Sequence, residues 1–354
     1  MRTIANRTLF TFFAITLLCS LTYAQSLDLP QLSQYSKITQ RIGVTDITVT
    51  YHRPLINERK VWGGLVPYGQ AWRTGADENT IIEFSDNVMI EGKLLAKGSY
   101  GLHTIPNENE WTIIFSKNNY SWGSFTYDQT EDALRVTVKP RSSEYRETMS
   151  IDFDNVQPAS ALLTIRWEKL AVPVKIEVNI NEAAANYIRN QLKSWTFRSN
   201  WSAFNDGANY FLNNKLNLDD ALKLADQSVR IEERFDNQMT RSRILDAQNN
   251  PNGAAAAKKR AMEIATAVQL NNYGRSLQRA GKQEEAFTVF RYNIKERPDD
   301  WTSHSQLARI AVAAKDFDTA LKEMNLALNV APEQSKVGLQ TTIKRLENKE
   351  DINK

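Results

Sequence analysis

The sequence predicts a two-domain protein, in which an all-β antiparallel sandwich or jelly-roll-like domain precedes an all-α domain of helical repeats. Two observations support this prediction. Residues 25–180 contain short segments whose apolar side chains alternate with a period of two, with turn residues between them. Residues 181–354 instead repeat small and apolar side chains every 34 positions. The chain of 354 residues is long enough for two separate cores.

The first 24 residues have the pattern of a cleaved signal peptide. Two arginines precede an apolar run over residues 9–21, and Thr22 and Ala24 supply small side chains at positions −3 and −1 of a cleavage site. We therefore expect cleavage after Ala24 and a periplasmic or secreted mature protein. Two alternatives are less favoured, because the run is short for a membrane anchor and the residue before Cys19 is bulky for a lipoprotein signal.

Composition excludes some classes of function. Cleavage removes Cys19, the only cysteine, so the mature chain has no disulfide. Residues 25–180 hold 16 basic and 19 acidic side chains, and residues 181–354 hold 26 and 22. Neither half has the strong basic excess of a nucleic-acid-binding protein. We also expect no transmembrane segment after the signal peptide, because no second apolar run is long enough.

The first half reads as a series of strands without helical periodicity. Residues 45–53 alternate apolar and polar side chains, and a proline follows directly. The loop at residues 106–110 is typical of a hairpin. The predicted strands are 45–53, 80–85, 88–91, 98–105, 111–117, 134–139, 148–153, 161–167 and 172–180.

The segment 61–75, VWGGLVPYGQAWRTG, interrupts this pattern. It contains too many backbone breakers for a helix and too many large apolar side chains for a free loop, so we expect an ordered crossover. Exposed aromatic rings beside arginine would suit a stacked ligand, although anchoring in the core is the commoner use of such residues. The candidate ligand-binding residues are Arg53, Trp62, Tyr68, Trp72, Arg73 and Trp122.

Three stretches of this half carry a resemblance to a known family. They are GVTDITVTYHRP, LVPYGQAWRTGADENTIIEFSDNVMIEGKLLAKGSYGLHTIP and EWTIIFSKNNYSWGSFTYDQTEDALRVTVKP. Residues 35–180 resemble the bacterial domain of unknown function 2911. The resemblance implies a secreted protein of the Bacteroidota type. It implies no activity and supplies no catalytic residues, because the family is named for the lack of a known function.

The second half repeats every 34 residues. The matched pairs are Gly274 and Ala308, Ala286 and Ala320, Phe290 and Met324, and Pro298 and Pro332. Small residues let paired helices approach closely, and proline ends the second helix of a pair. The pattern resembles tetratricopeptide repeats, most clearly in units 267–300 and 301–334. Residues 201–233 and 236–266 fit two further units, and residues 335–347 fit a polar cap.

No catalytic motif, phosphate loop or dinucleotide fingerprint occurs, so we expect no catalytic residues and no cofactor. The three histidines are His52, His103 and His304. His52 and His103 would form a metal site only if they converged with a carboxylate, and the simpler prediction is that they do not. We therefore expect no metal.

Two functions from different classes remain. The favoured one is a secreted or periplasmic, non-enzymatic protein that binds a protein or peptide partner through its helical repeats. The alternative is a β domain that binds a carbohydrate or another small ligand, with hydrolysis as a further option. Exposure discriminates between them, since the alternative requires Trp62, Trp72 and Trp122 to open onto a cleft.

Overall fold

A computed structural model of the chain describes residues 30–353. The predicted signal peptide lies outside these residues. The described chain divides into two compact units, one formed by residues 30–41 and 46–177 and the other by residues 42–45 and 178–353. Each unit is described by itself below. Within residues 30–353, every helix is too short or too polar to cross a membrane.

The first unit contains two β-sheets. One has six strands in the order β1-β2-β3-β6-β7-β8, and the other has four in the order β5-β4-β10-β9. The pairs β2–β3, β3–β6, β6–β7, β7–β8, β4–β5 and β9–β10 are antiparallel. The strands are β1 (Gln34–Ile42), β2 (Thr45–Arg53), β3 (Ile81–Phe84), β4 (Val88–Ile90), β5 (Lys93–Leu95), β6 (Gly98–Ile105), β7 (Trp111–Ser116), β8 (Asp132–Val138), β9 (Arg141–Gln157) and β10 (Ser160–Val178).

The strand predictions agree with this unit in most places and differ in two. Strands β1 and β5 were not predicted, because most side chains of β1 are exposed or half-buried and β5 has only three residues. The two strands predicted at 161–167 and 172–180 form the single strand β10. Its register with β9 shifts on both sides of Glu168, which has a positive φ of 54°. This bulge bends the strand without ending it.

Both sheets contribute to one apolar core. Tyr51 of β2 is 2% exposed, and its hydroxyl bonds the main chain of β9 at Ile151. The Ile151 amide donates to this hydroxyl at 2.8 Å, and the hydroxyl donates to the Ile151 carbonyl at 3.3 Å. Trp111 of β7 and Trp167 of β10 are each 1% exposed. The unit is therefore an antiparallel sandwich.

The second unit consists of ten helices. Most begin at an asparagine, aspartate or threonine whose side-chain oxygen accepts a main-chain N–H of the first turn, as expected of N-caps. The helices are α1 (Ile180–Gln191), α2 (Trp201–Asn213), α3 (Leu218–Ile231), α4 (Phe235–Ala247), α5 (Pro251–Ile264), α6 (Ala267–Arg279), α7 (Gln283–Glu296), α8 (Trp301–Ala313), α9 (Phe317–Val330) and α10 (Glu333–Glu347).

Helices α2 to α9 form four helical hairpins, in each of which two consecutive helices contact one another. The hairpins are α2–α3, α4–α5, α6–α7 and α8–α9. Small residues sit where the two helices of a hairpin meet. A Cβ added at Gly274 would lie 2.1 Å from Cε1 of Phe290, and Ala308, Ala320 and Ala327 are fully buried. The predicted 34-residue repeat therefore corresponds to close helix pairing.

Candidate functional site

The crossover at residues 61–75 lies largely against the core of the first unit. Trp62 is 8% exposed, and its ring centroid lies 4.9 Å from that of Trp111 and 5.8 Å from that of Trp167. The Trp72 ring stacks on Trp167 at 5.9 Å, and its Nε1 donates to the Gly75 carbonyl at 3.1 Å. These two crossover tryptophans form an aromatic core with residues of both sheets.

The remaining predicted ligand-binding residues do not join one cluster. Nε of Arg53 donates to the Met149 carbonyl at 2.9 Å, which ties the end of β2 to β9. Tyr68 is 39% exposed and belongs to the crossover. Only Arg73 and Trp122 meet, with Cζ of Arg73 lying 5.7 Å from the Trp122 ring centroid. Ligand binding by the predicted set stays a prediction.

The pair Arg73 and Trp122 belongs to a small aromatic surface of the first unit. Trp122 is 60% exposed and stacks on Phe125, which is 83% exposed, at a centroid distance of 6.1 Å. Burial lowers the pKa of Arg73, and the carboxylates of Asp77 and Glu78 act in the opposite direction. Phe125 was not predicted, because it lies outside any strand and follows no periodic pattern.

The histidines of the first unit have different surroundings. Nε2 of His52 lies 3.1 Å from a carboxylate oxygen of Glu78. His103 is 3% exposed, and its Nδ1 lies 3.2 Å from the Ser124 hydroxyl. Burial lowers the pKa of His103 to about 4, so its ring is neutral at physiological pH. Among residues 30–353 there is no group of three or more His, Cys, Asp or Glu that could hold a metal ion.

A second candidate surface lies on the first helices of the hairpins in the helical unit. Helix α2 contacts α4, and α6 contacts α8, so the first helices of adjacent hairpins meet in two pairs. The ninth residues of α2, α4, α6 and α8 are Asn209, Arg243, Arg275 and Arg309. We call these four residues the arginine row.

Neighbouring members of the row interact. Nη1 of Arg243 donates to Oδ1 of Asn209 at 3.2 Å, and Nη2 donates to Oδ1 of Asn213 at 2.9 Å. The charge of Arg275 also lowers the pKa of Arg309. The members of the row therefore interact in two pairs, Asn209 with Arg243 and Arg275 with Arg309.

The arginines of the row lack carboxylate partners. Within residues 30–353, no aspartate or glutamate oxygen lies within 4.0 Å of the guanidinium nitrogens of Arg243, Arg275 or Arg309. By contrast, Arg241 pairs with Asp226 at 2.7 Å, although it lies only two residues from Arg243. The row therefore presents positive charge that the described part of the chain leaves unneutralised.

Arg309 is the most deeply placed of the three arginines. It is 4% exposed, and its Nε has no hydrogen-bond partner within the described residues. Burial first, and then the charges of Arg275 and Arg345, lower its pKa to about 9, while the carboxylate of Asp351 acts in the opposite direction. Arg275 is half-buried, and its pKa is lowered by burial and by Arg279 and Arg345. An uncompensated buried guanidinium favours binding of an anion.

The arginine row was not predicted from the sequence, although the sequence contains its signal. Arg275 follows Gly274 and Arg309 follows Ala308, so the arginines share the 34-residue period of the small residues. Arg243 precedes Arg275 by 32 residues, because the α4–α5 hairpin is two residues shorter. An alignment of the whole first helices with one another, instead of pairs of residues 34 positions apart, shows the row.

Comparison with known proteins found a family match for the first unit. The family described as protein of unknown function, DUF2911, matches residues 33–176. This match confirms the predicted resemblance of the first unit, and the family name carries no activity. No curated protein is similar enough in sequence to count as a relative.

The ten helices of the second unit resemble tetratricopeptide-repeat proteins. The structure of YrrB, described as a TPR protein with an unusual peptide-binding site, is 18% identical, with a TM-score of 0.26, over 47% of this chain and 84% of that one. MamA is 15% identical, with a TM-score of 0.28, over 45% and 92%. PilF of Pseudomonas aeruginosa is 17% identical, with a TM-score of 0.28, over 42% and 68%. These sequence identities and TM-scores are low, so the likeness indicates nothing about ligands.

Proposed function

We propose that the helical unit binds an acidic segment of a partner protein through the arginine row. The observation that carries this proposal is the repetition of arginine at the ninth position of α4, α6 and α8, without a carboxylate partner in residues 30–353. Repeats that place the same side chain on successive helices form an extended surface, which suits a peptide better than a compact small molecule.

The chemistry of the row favours acidic side chains. A guanidinium presents several N–H donors in one plane and binds a carboxylate through two parallel hydrogen bonds. Arg275 is half-buried and Arg309 is buried, so solvent screens their charges less than it screens charges at the surface. The row therefore has both the geometry and the electrostatic preference to select aspartate or glutamate.

A peptide array tests this proposal. The purified mature chain would be applied to immobilised acidic, neutral and basic peptides of equal length, at low and at physiological ionic strength. We expect retention on the acidic peptides, with weaker retention at the higher salt concentration because screening shortens the range of the charges. Equal retention on all three classes, or retention on none, would contradict the proposal.

We also propose that the protein is exported and that it is not an enzyme. The pattern of residues 1–24 supports export, and the lack of a catalytic motif supports a binding role. N-terminal sequencing of the protein purified from its native host tests the first point. A mature chain that begins at Gln25 is the expected result, and an intact Met1 in a cytoplasmic fraction would contradict it.

A second candidate function belongs to the first unit, where a small ligand, including a carbohydrate, would stack on Trp122. The exposed pair of Trp122 and Phe125 beside Arg73 favours it. Ligand panels that include oligosaccharides would be followed by tryptophan fluorescence, in the wild type and in Trp122→Phe. A signal that appears in the wild type and vanishes in the variant supports this function. No signal from any ligand counts against it.

A further inference from the structure

The C-terminal segment Glu350–Asn353 packs against the arginine row. Ile352 is 1% exposed and belongs to the apolar cluster that contains Ala308 and Val312 of α8. Its main-chain carbonyl accepts a hydrogen bond from Nη1 of Arg309. A segment from the end of the described chain therefore covers the most buried arginine of the row.

Hydrogen bonds on both sides fix the neighbouring residues of this segment. Nδ2 of Asn353 donates to the Arg309 carbonyl at 2.9 Å, and Oδ1 of Asn353 accepts from Nε2 of Gln278 at 2.7 Å. Nη2 of Arg345 donates to the Asp351 carbonyl at 3.0 Å. Helices α6, α8 and α10 therefore all contribute to holding the segment.

These contacts are of the kind that a bound peptide makes. The segment is neither helix nor strand, and it inserts one apolar side chain. It is held through main-chain carbonyls, through the Asn353 amide and through the Glu350 carboxylate, which accepts from Nε of Arg345 at 3.0 Å. It also lies next to the row residue Arg309. The segment thus occupies one end of the surface to which we assign acidic peptides.

The segment leaves part of the polar capacity of this end unused. Nε of Arg309 and Oε1 of Gln278 are buried without hydrogen-bond partners within the described residues. The segment offers Arg309 a neutral carbonyl oxygen, and Asp351 acts on it only from beyond ion-pair distance. A carboxylate placed against Arg309 would make a charge-assisted hydrogen bond, which is stronger than a bond to a neutral carbonyl.

We propose that residues 350–353 act as a built-in competitor that closes the α8 end of the arginine row and that an acidic peptide displaces it. This inference rests on the proposed function, since it names the occupant that a partner must replace. Only molecules in which residues 350–353 have dissociated from α8 can then bind the acidic peptide at this end of the row. The apparent dissociation constant of the peptide rises as this fraction falls.

The test compares the affinity of one acidic peptide for the wild type and for two variants. The probe is a fluorescein-labelled hexapeptide of alternating aspartate and glutamate, followed by fluorescence anisotropy. The first variant is Ile352→Ser, which removes the buried apolar side chain, adds no charge and keeps the chain length. The second ends at Lys349 and lacks the segment altogether. Circular dichroism confirms that each variant retains its helices.

The expected result is an affinity about tenfold higher for both variants than for the wild type. The Ile352→Ser variant is decisive, because it keeps the charges of Glu350 and Asp351, so a gain in affinity cannot come from the loss of negative charge. An unchanged or lower affinity of both variants would overturn the competitor proposal and leave the proposed function standing. If the peptide binds neither the wild type nor the variants, both proposals fall.

Discussion

The guanidinium of Arg309 donates a hydrogen bond to the main-chain carbonyl of Ile352, 43 residues further along the chain. This contact joins the two features on which our proposals rest, the row of arginines without carboxylate partners in residues 30–353 and the segment at residues 350–353. A buried arginine without a carboxylate is costly in a protein interior, and binding of an anion at Arg309 would reduce this cost.

Among the described glycines of the helical unit, Gly274 has the least space for a side chain. An alanine Cβ there would lie 2.1 Å from the fully buried ring of Phe290. We expect Gly274→Ala to lower the free energy of unfolding by about 1–3 kcal/mol, since overpacking outweighs the gain in helix propensity. Urea denaturation measures the change, with the helix content followed by circular dichroism.

Gly338 provides the matched control for this substitution. It lies in α10, and an added Cβ would have no neighbour within 4 Å. Gly338→Ala is expected to stabilise the unit by about 0.5–1 kcal/mol through reduced freedom of the unfolded chain. Equal effects of the two substitutions would show that helix contact at Gly274 is looser than described.

Tyr51 links β2 to β9 through its hydroxyl group. Replacing it with phenylalanine removes the partner of the Ile151 amide, which donates to the hydroxyl at 2.8 Å inside the core. We expect Tyr51→Phe to destabilise the first unit by about 1–3 kcal/mol, because a buried N–H is left unsatisfied. Tyr120→Phe is the control, as Tyr120 is 85% exposed and should change stability little. Urea denaturation of both variants gives the comparison, and a Tyr51→Phe variant as stable as the control would contradict the role assigned to this hydroxyl.

His103 makes the stability of the first unit depend on pH. Its pKa is about 4 in the folded chain, against 6.5 for the unperturbed side chain. As the pH falls, His103 therefore becomes protonated in the unfolded chain before it does so in the folded chain. Its contribution to the free energy of unfolding is complete above pH 6.5 and is lost as the pH falls toward 4. Between pH 7 and pH 5 the loss is expected to be about 2 kcal/mol.

Urea denaturation of the wild type and of His103→Gln at both pH values isolates this contribution. The wild type should lose more stability between pH 7 and pH 5 than the variant, by about the amount given above. If the two proteins respond to pH in parallel, His103 is not the group responsible.

The sequence predicted the parts of the fold that depend on local periodicity. The alternation of residues 45–53 predicted β2, and the 34-residue spacing of Gly274 and Ala308 predicted the hairpins. Strand β1 was missed because its side chains are mostly outside the core, so burial imposes little pattern on it. Strand β10 was split in two because a bulge at Glu168 breaks the alternation without breaking the strand.

The candidate site was less accessible to sequence reasoning. Composition drew attention to Trp62 and Trp72, which the fold uses in the core of the first unit. The arginine row follows the repeat period and could have been found by aligning the helices. The contact between Arg309 and Ile352 could not, because a single isoleucine in a polar segment has no periodic partner and the contact is distant in sequence.

The most direct test of the central claim is the affinity of the acidic hexapeptide for Arg275→Glu and for Lys259→Glu. Both substitutions reverse one charge. Arg275 lies on α6 and belongs to the row, whereas Lys259 is an exposed residue of α5, which is the second helix of its hairpin. We expect Arg275→Glu to weaken binding of the peptide by tenfold or more, corresponding to about 1.4 kcal/mol, and Lys259→Glu to change it little. Equal affinities of the two variants would contradict the assignment of the arginine row as the binding surface.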